Sequence, residues 1–423
     1  MKRIVSALFV LSATAATVLL AQTFTTLRRF HGADGANANA QLLQSTDGEL
    51  YGTTLQGGAA GKGTVFKITP SGKLTPLYSF CTQSGCTDGG CPAGALIQAT
   101  NGDFYGTTSD GGANGGGTVF KITPIGELTT LYNFCSQSAC ADGRSPQGAL
   151  VQATNWDLYG TTAGYDGSGA TVFKITPASA LTTLYTFCSQ GGTCPDGQSP
   201  VGALIQATDG TLYGTASDGG ANGYGTVYQI TPSGALTTLH SFDMTDGSGP
   251  GSLVQATDGN FYGATVSGGV YDDGTVFKVT PNGTLTTVYS FGSEIADGFY
   301  PFGGLIQATD GNFYGTARSG GTIHERGTVY ELTPSGALTT IIHFLLQSPV
   351  RRRQAPVRRS GAVYQWEFLR DDLERRERGW LWHDLQPLRR TRPLRENTDY
   401  LRQSGSGRQD FGDRSDRHDQ RHI

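Results

Sequence analysis

The sequence lacks the short motifs that mark the common hydrolases. It has no H-E-x-x-H pair for a catalytic zinc ion, no G-x-S-x-G turn for a serine nucleophile, and no histidine recurring at a regular spacing. The segment Gly57–Thr64 approaches a phosphate-binding loop, but Gln56 stands where that loop needs glycine and Gly63 where it needs serine or threonine. These absences disfavour serine and zinc hydrolases and exclude a phosphate-binding loop.

Long apolar runs are also scarce, and the only one lies at the start, MKRIVSALFVLSATAATVLLAQ. Two cations precede a short apolar stretch and small residues follow it, which is the order of a secretory signal. Ser12, Thr14 and Thr17 interrupt the stretch, so a membrane anchor is the weaker alternative. We expect a signal peptide over residues 1–21 and a mature protein, without a transmembrane segment, that is secreted or held in the cell envelope.

Lysine is absent from residues 351–423, which hold 18 Arg and 12 Asp plus Glu, a net charge of +6, against −10 for the first 350 residues. This tail also contains Trp366, Trp380 and Trp382, three of the four tryptophans. A basic tail could bind nucleic acid or a membrane, but the acids are interspersed among the arginines, which disfavours both. We expect no nucleic-acid partner.

What the body has in abundance is glycine, 62 residues in the whole chain, and it is arranged in a repeat. A Tyr-Gly pair recurs every 49 to 54 residues, at Tyr51, Tyr105, Tyr159, Tyr213, Tyr262 and Tyr314. The unit Ala203–Phe242 contains four β-rich runs, ALIQAT, TLYGTA, GTVYQIT and ALTTLHSF, separated by turn residues. Four strands at this period predict an all-β protein, a β-propeller of six complete four-stranded blades over residues 22–345.

The geometry of an up-and-down blade sorts the loops between two faces, because successive connections alternate. The long loops are those between the second and third strands, such as Ser109–Gly117, and those between blades, such as Cys135–Gly148. They are predicted to share one face, where binding is expected.

The runs LIQATDGNFYGT, GTVFKITPSG and LTTLYSF resemble the GloVer tandem repeat of bacterial secreted "choice-of-anchor" proteins. The resemblance covers roughly residues 22–345. It implies export and attachment to the cell surface through a variable C-terminal signal, with no established activity and no catalytic residues.

The mature chain opens with a lone fourth strand, FTTLRRF over Phe24–Phe30, whereas the sixth unit already has its own fourth strand ending at Phe344. A seventh unit is therefore expected after Phe344. In a frame shifted by one base each tail tryptophan becomes glycine, and codons permitted for Tyr364–Asp372 can read TNGNFYGTT. We hypothesise that residues 346–423 are a non-native tail, a frameshifted seventh unit.

Six of the seven cysteines form close pairs in successive inter-blade loops, Cys81 with Cys86, Cys135 with Cys140, and Cys188 with Cys194. Small-ring disulfides are predicted, as expected of an oxidising compartment, and Cys91 is left over. Metal binding by these pairs is disfavoured because no paired histidine or second cysteine pair shares a loop.

Aspartate precedes glycine in every inter-blade loop, at Asp34, Asp88, Asp142, Asp196, Asp246 and Asp297. A self-bonded turn is the simpler interpretation, and Ca²⁺ or ligand contact by Asp88, Asp142, Asp196, Asp246 and Asp297 is the alternative. Asp272 and Asp273, in the divergent loop of the fifth unit, are the candidate metal ligands; no other cofactor is expected.

Two further residues recur without needing a functional explanation. The first-strand glutamines are predicted to hydrogen-bond between blades, and the tyrosines of the Tyr-Gly pairs to pack rather than to form a sugar platform. The glutamines are Gln44, Gln98, Gln152, Gln206, Gln255 and Gln307.

Two functional classes remain open. The first is an exported, non-enzymatic binding or surface scaffold module for a glycan or protein ligand. The alternative is a secreted carbohydrate-active enzyme that uses loop carboxylates. The near-uniformity of the units favours the first class, because an active site usually breaks the symmetry at one or two blades.

Overall fold

A computed structural model describes residues 25–164, 169–189, 192–321 and 325–345. The expected signal peptide over residues 1–21 and the Arg-rich tail over residues 346–423 lie outside the described residues, as does the whole of a separate unit, Val350–Ile423. Among the described residues no helix is long and apolar enough to cross a membrane.

Six antiparallel sheets follow one another along the chain, each with its strands in the order first, second, third, fourth. They form the blades of a six-blade β-propeller, numbered one to six, which confirms the predicted fold class. The strands of blades one to three are Leu43–Gln44, Leu50–Thr54, Thr64–Ile68 and Leu74–Ser79; Ile97–Gln98, Phe104–Thr108, Thr118–Ile122 and Leu128–Asn133; and Val151–Gln152, Leu158–Thr162, Thr171–Ile175 and Leu181–Thr186.

The last three blades follow the same plan. Their strands are Ile205–Gln206, Leu212–Ala216, Thr226–Ile230 and Leu236–Ser241; Val254–Gln255, Phe261–Ser267, Thr275–Val279 and Leu285–Ser290; and Ile306–Gln307, Phe313–Ser319, Glu325–Leu332 and Leu338–Leu345. Blades five and six each gain a short strand, Ser248–Pro250 and Phe299–Pro301, which pairs with the second strand. The only helical segments described are three 3₁₀ turns, Ser84–Cys86, Ser138–Cys140 and Ile295–Asp297.

The first strands differ from the sequence prediction, since the six-residue run ALIQAT forms only a two-residue strand, Ile205–Gln206. The chain turns immediately afterwards, because the Ala207 amide donates to the Thr211 carbonyl and closes the turn to the second strand. The β-rich composition of this run therefore overstates the strand length.

Both residues of the Tyr-Gly pair have a packing role. In blade three Gly160 lies opposite Phe173 on the third strand, and a Cβ at Gly160 would approach that ring to 2.6 Å. Only glycine admits the ring at this distance. The tyrosine side chains pack between blades; for example, Tyr51 stacks on Phe104 of blade two with ring centroids 4.1 Å apart. This confirms a packing role for the tyrosines.

The recurring glutamines connect neighbouring blades. Gln98 of blade two accepts hydrogen bonds from the Thr46 amide and the Ser45 hydroxyl of blade one, both at 3.1 Å. Equivalent bonds link the later blades, from Thr100 to Gln152, from Thr154 to Gln206 and from Thr257 to Gln307. The interpretation as inter-blade links is confirmed for Gln98, Gln152, Gln206 and Gln307.

Candidate functional site: the long-loop face

The two kinds of long loop meet on one face, as the alternation of connections predicts. The Gly112 amide, in the loop between the second and third strands of blade two, donates to the Cys86 carbonyl of the preceding inter-blade loop at 2.8 Å. Gly90 and Asp110 exchange backbone hydrogen bonds across the same junction. Every candidate residue discussed below lies on this long-loop face.

The recurring aspartates each hydrogen-bond a side chain that precedes them, and we call each such pair a lock because it holds the inter-blade loop. In each loop the carboxylate bonds a side chain of the preceding fourth strand or, at the N-terminus, of residues 25–30. The pairs are Arg28 with Asp34, Tyr78 with Asp88, Tyr132 with Asp142, Tyr185 with Asp196, His240 with Asp246, and Tyr289 with Asp297. A self-bonded loop is thus what these residues form, and a ligand role for them stays a prediction.

Asp142 shows how completely a lock is satisfied. Its carboxylate is fully buried and accepts hydrogen bonds from the Tyr132 hydroxyl and from the amide and hydroxyl of Ser136, all between 2.8 and 2.9 Å. Burial raises the pKa of this carboxyl, but the Ser136 and Tyr132 hydrogen bonds outweigh burial and hold the pKa below its ordinary value. The donors therefore stabilise the ionised form.

The pKa values of the tyrosines in the locks are raised, whereas that of Asp142 is lowered. Burial, reinforced by the hydrogen bond to Asp196 and by its negative charge, raises the pKa of Tyr185 to about 12. Burial and the bond to Asp297 raise the pKa of Tyr289 to about 12 as well. Both hydroxyls remain protonated donors at neutral pH, which keeps the locks closed.

All three predicted disulfides are present, Cys81–Cys86, Cys135–Cys140 and Cys188–Cys194. They cross-link the loops that follow blades one, two and three. Each closes a ring of six or seven residues around the loop that also contains a lock. The loops of the first half of the propeller are thus fixed twice, covalently and by the aspartate.

Cys91 is the free cysteine among the described residues. It lies beside an ion pair between Lys62 and Asp110, whose atoms are 2.7 Å apart. Burial raises the pKa of the Cys91 thiol, and the nearby Lys62 charge offsets only part of that effect. The thiol is therefore protonated at neutral pH and is a weak nucleophile.

Asp272 and Asp273 lie in the loop between the second and third strands of blade five. Asp272 is exposed, and its carboxylate accepts the Gly268 amide at 3.0 Å. Burial and then the charge of Asp272 raise the pKa of Asp273. Among the residues that the structure describes, no group of three or more His, Cys, Asp or Glu is placed to hold a metal ion. A metal role for this pair stays a prediction.

The feature that the sequence did not reveal is a set of exposed apolar side chains on the long-loop face of blades four to six. We call this set the aromatic rim. Its members are Tyr224, Val270, Tyr271, Ile295, Tyr300 and Phe302. Among the described residues, the one other exposed large hydrophobic side chain in a long loop is Leu42, just before the first strand of blade one. Clusters of exposed apolar groups on a soluble domain mark interaction sites.

Most of the rim converges on the junction between blades five and six. The Tyr300 amide donates to the Asp273 carbonyl at 2.9 Å, which joins the inter-blade loop to the loop that carries Tyr271. Tyr271 also lies against Gly292 at the start of the same inter-blade loop. Two tyrosines and two carboxylates therefore share one junction.

Tyr300 adopts φ 58°, the left-handed region, where non-glycine residues are strained. The equivalent positions of the other loops also have positive φ but hold small residues, namely Asn37, Cys91, Ser145, Ser199 and Gly249. A tyrosine at this position, 40% exposed, gains little from packing to offset the strain. Strain of this kind clusters at functional sites. The available signal in the sequence was the run FYPF, Phe299–Phe302, where the other loops have small or polar residues.

The sequence as a whole matches the model of the Gloeobacter/Verrucomicrobia repeat over residues 13–197 and 158–367. These two overlapping matches cover most of the chain. The chain belongs to the Gloeobacter/Verrucomicrobia repeat family. This confirms the resemblance inferred from the repeat motifs. A comparison with curated proteins found no match to this family member.

Several solved structures are similar to this repeat protein. The extracellular domain of a hybrid two-component system from B. thetaiotaomicron has a TM-score of 0.50 at 13% identity, covering 74% of this chain and 36% of that chain. The PQQ-bound aldose sugar dehydrogenase of Streptomyces coelicolor has a TM-score of 0.45 at 13% identity, with 71% and 95% covered. A gluconolactonase from Xanthomonas campestris has 0.41 at 13% identity, with 68% and 85% covered.

Proposed function

We propose that this chain is an exported, non-enzymatic binding module whose aromatic rim binds a glycan. The observation that carries the proposal is the position of the rim: exposed tyrosines and a phenylalanine at the junction of blades five and six, beside Asp272 and Asp273. Aromatic rings offer an apolar face with a polar edge, and carboxylates accept hydrogen bonds from hydroxyl groups. A sugar presents both an apolar face and hydroxyls.

The locks support binding over catalysis. A glycosidase needs two carboxylates that can reach the substrate. The recurring aspartates are instead bonded inside their own loops, and Asp88 and Asp142 are 1% and 0% exposed. The carboxylates of Asp272 and Asp273 are the more accessible ones in this region. They are suited to contact a ligand or a Ca²⁺ ion that bridges to it.

The disulfides support export, because small-ring disulfides persist in oxidising compartments. Membership of the repeat family and the expected signal peptide point the same way. Attachment to the cell surface is part of the same proposal.

A glycan array probed with the secreted chain, with and without Ca²⁺, tests the proposal. We expect a defined subset of glycans to be retained. The double variant Tyr271→Ala with Phe302→Ala is expected to lose at least about tenfold in affinity, as removal of stacking aromatic side chains does elsewhere. If the aspartate pair holds Ca²⁺, chelation will have the same effect.

Trp156→Ala is the matched control, since Trp156 is 56% exposed but lies in the tight turn between the first and second strands of blade three, on the other face. It should bind as the unaltered chain does. Retention of no glycan, or equal affinities for the rim variant and the unaltered chain, would contradict the proposal.

A further inference from the structure

The junction between blade six and blade one differs from the five regular junctions. At each regular junction the phenylalanine that directly follows a fourth strand packs edge-on against the third strand of the next blade, with ring centroids 5.1 to 5.3 Å apart. The pairs are Phe80 with Phe120, Phe134 with Phe173, Phe187 with Tyr228, Phe242 with Phe277, and Phe291 with Tyr330. Phe66 of blade one makes this contact with Phe30, which precedes blade one, at 5.1 Å.

Residues 25–30 therefore take the place of a fourth strand that precedes blade one. Two further contacts support the placement of residues 25–30 as a fourth strand. The Leu27 carbonyl lies against Gly72 of blade one as the Leu77 carbonyl lies against Gly126 of blade two, and Arg28 bonds Asp34 in the manner of the other locks. Yet residues 25–30 pair with no third strand among the described residues. They form the outer strand of a blade whose first three strands are not among those described.

The face of blade one that looks toward this position is open. Leu42 precedes the first strand and is 44% exposed, whereas its counterparts are 2 to 6% exposed. These counterparts are Leu96, Leu150, Leu204, Leu253 and Leu305. Gln44 is exposed as well, although the later first-strand glutamines are half-buried and several of them bond the preceding blade. No neighbouring blade in the described part of the chain covers these two side chains.

The opposite face, on blade six, is open in the same way. Thr316 on the second strand is exposed. Its counterparts are buried, and each donates to a glycine carbonyl of the next blade: Thr53 to Gly94, Thr107 to Gly148, Thr161 to Gly202, and Thr215 to Gly251. Val329 on the third strand is half-buried, although the five equivalent valines are fully buried.

We infer that the faces of blades six and one are the two halves of a docking surface for one more repeat unit, a seventh blade of three strands completed by residues 25–30. At the regular junctions the leucine before the following blade's first strand is buried with the tyrosine and valine of the preceding blade, as Leu96 is with Tyr51 and Val65. A glycine carbonyl of the following blade accepts the threonine hydroxyl of the preceding blade, as Gly94 does from Thr53. The source of this unit would be the frameshifted tail, because codons permitted for the tail residues can spell most of a repeat in another frame. The exposed faces and the N-terminal strand agree with it independently.

Cysteine labelling of the chain as it exists tests the open faces. Thr316→Cys and Leu42→Cys are made in a Cys91→Ser background, which removes the free thiol, and are labelled with a maleimide. Thr107→Cys, Thr161→Cys and Thr215→Cys are matched controls at regular junctions. We expect Thr316→Cys and Leu42→Cys to label at least about a hundredfold faster than the buried controls, in line with exchange through rare opening. Equal rates at Thr316 and at the controls would overturn the inference.

A graft tests the occupant. Residues 346–423 are replaced by a second copy of residues 292–332, which carries an inter-blade loop and three strands. We expect labelling of Thr316→Cys and Leu42→Cys to fall at least about tenfold, and the melting temperature to rise. A matched graft with proline at the copies of Tyr314 and Gly315 cannot form its second strand and should protect neither site. Labelling unchanged by the intact graft, or protection that depends on protein concentration because a second copy covers the faces, would contradict the inference.

Discussion

The two halves of the propeller share one blade plan but treat their long loops differently. The loops that follow blades one to three carry a disulfide and no exposed aromatic side chain among the described residues. The loops of blades four to six have no disulfide among the described residues but carry the aromatic rim, including a tyrosine in a strained conformation. In the first half the distinctive residues of the long loops are cysteines that cross-link them, whereas in the second half they are large side chains exposed to solvent. The glycan-binding surface that we propose therefore lies on one side of a nearly symmetric scaffold.

The largest expected effect comes from breaking a lock in the first half. Asp142→Ala removes a fully buried carboxylate and leaves the Tyr132 hydroxyl and the Ser136 amide without their acceptor. The free energy of unfolding should fall by about 3 kcal/mol. Asp246→Ala, in the second half, should cost about half as much, because its carboxylate is 20% exposed and water can replace it. Denaturant titration measures both; equal losses would show that the halves are held alike.

Removing one disulfide is the next largest change. Cys135→Ser with Cys140→Ser opens a six-residue ring, which the loop-entropy model values at about 2 kcal/mol. The melting temperature should fall, while glycan binding at the rim stays unchanged because the rim lies in other loops. Loss of binding in this variant would contradict the division between the halves.

Because of the locks, the stability of the folded protein should fall at both acidic and alkaline pH. The pKa of Asp142 is lowered in the folded protein, so its contribution is present above its ordinary value of 3.8 and is lost as the pH falls below it. The pKa values of Tyr185 and Tyr289 are raised to about 12, so their contribution is complete below pH 10 and is lost as the pH rises from 10 towards 12.

Unfolding followed at fixed temperature across pH measures this dependence. Tyr185→Phe should flatten the alkaline limb, since it removes the titrating hydroxyl. An alkaline limb that is identical in the variant and the unaltered chain would argue against the tyrosine locks.

The smallest expected effect on stability belongs to the rim, and it has the opposite sign. Tyr300→Gly relieves a left-handed conformation that glycine adopts freely, and it should raise the free energy of unfolding by about 1 kcal/mol. The same variant should weaken glycan binding. Gly249 is the natural counterpart of this change in the preceding loop. A loss of stability would indicate that Tyr300 serves packing and not a ligand.

Much of the fold was predictable because the same motifs recur in six successive units, so that a pattern seen in one unit could be checked in the others. The period of the Tyr-Gly pairs predicts the blades, and the position of the glutamines in every first strand predicts their bonds to the neighbouring blade. The cysteine pairs recur at one place in three loops, so their pairing followed from sequence spacing. The lone strand before blade one was likewise visible as FTTLRRF, and residues 25–30 occupy the position expected of it.

The locks and the rim were harder to foresee. Each lock joins an aspartate to a side chain six to eleven residues earlier, and the donor is tyrosine, histidine or arginine in different loops. Neither the spacing nor the residue type is constant, so only the folded loop shows the pair. The rim depends on exposure, which the composition of a loop does not reveal: Phe302 and Phe299 lie in one run, yet Phe302 is exposed and Phe299 is half-buried.

Hydrogen exchange with and without a glycan retained on the array is the most direct test of glycan binding at the aromatic rim. We predict slower amide exchange in residues 268–274 and 295–302 on binding, with no change in residues 82–91 and 136–145. Protection of the disulfide loops, or of neither set, would contradict it.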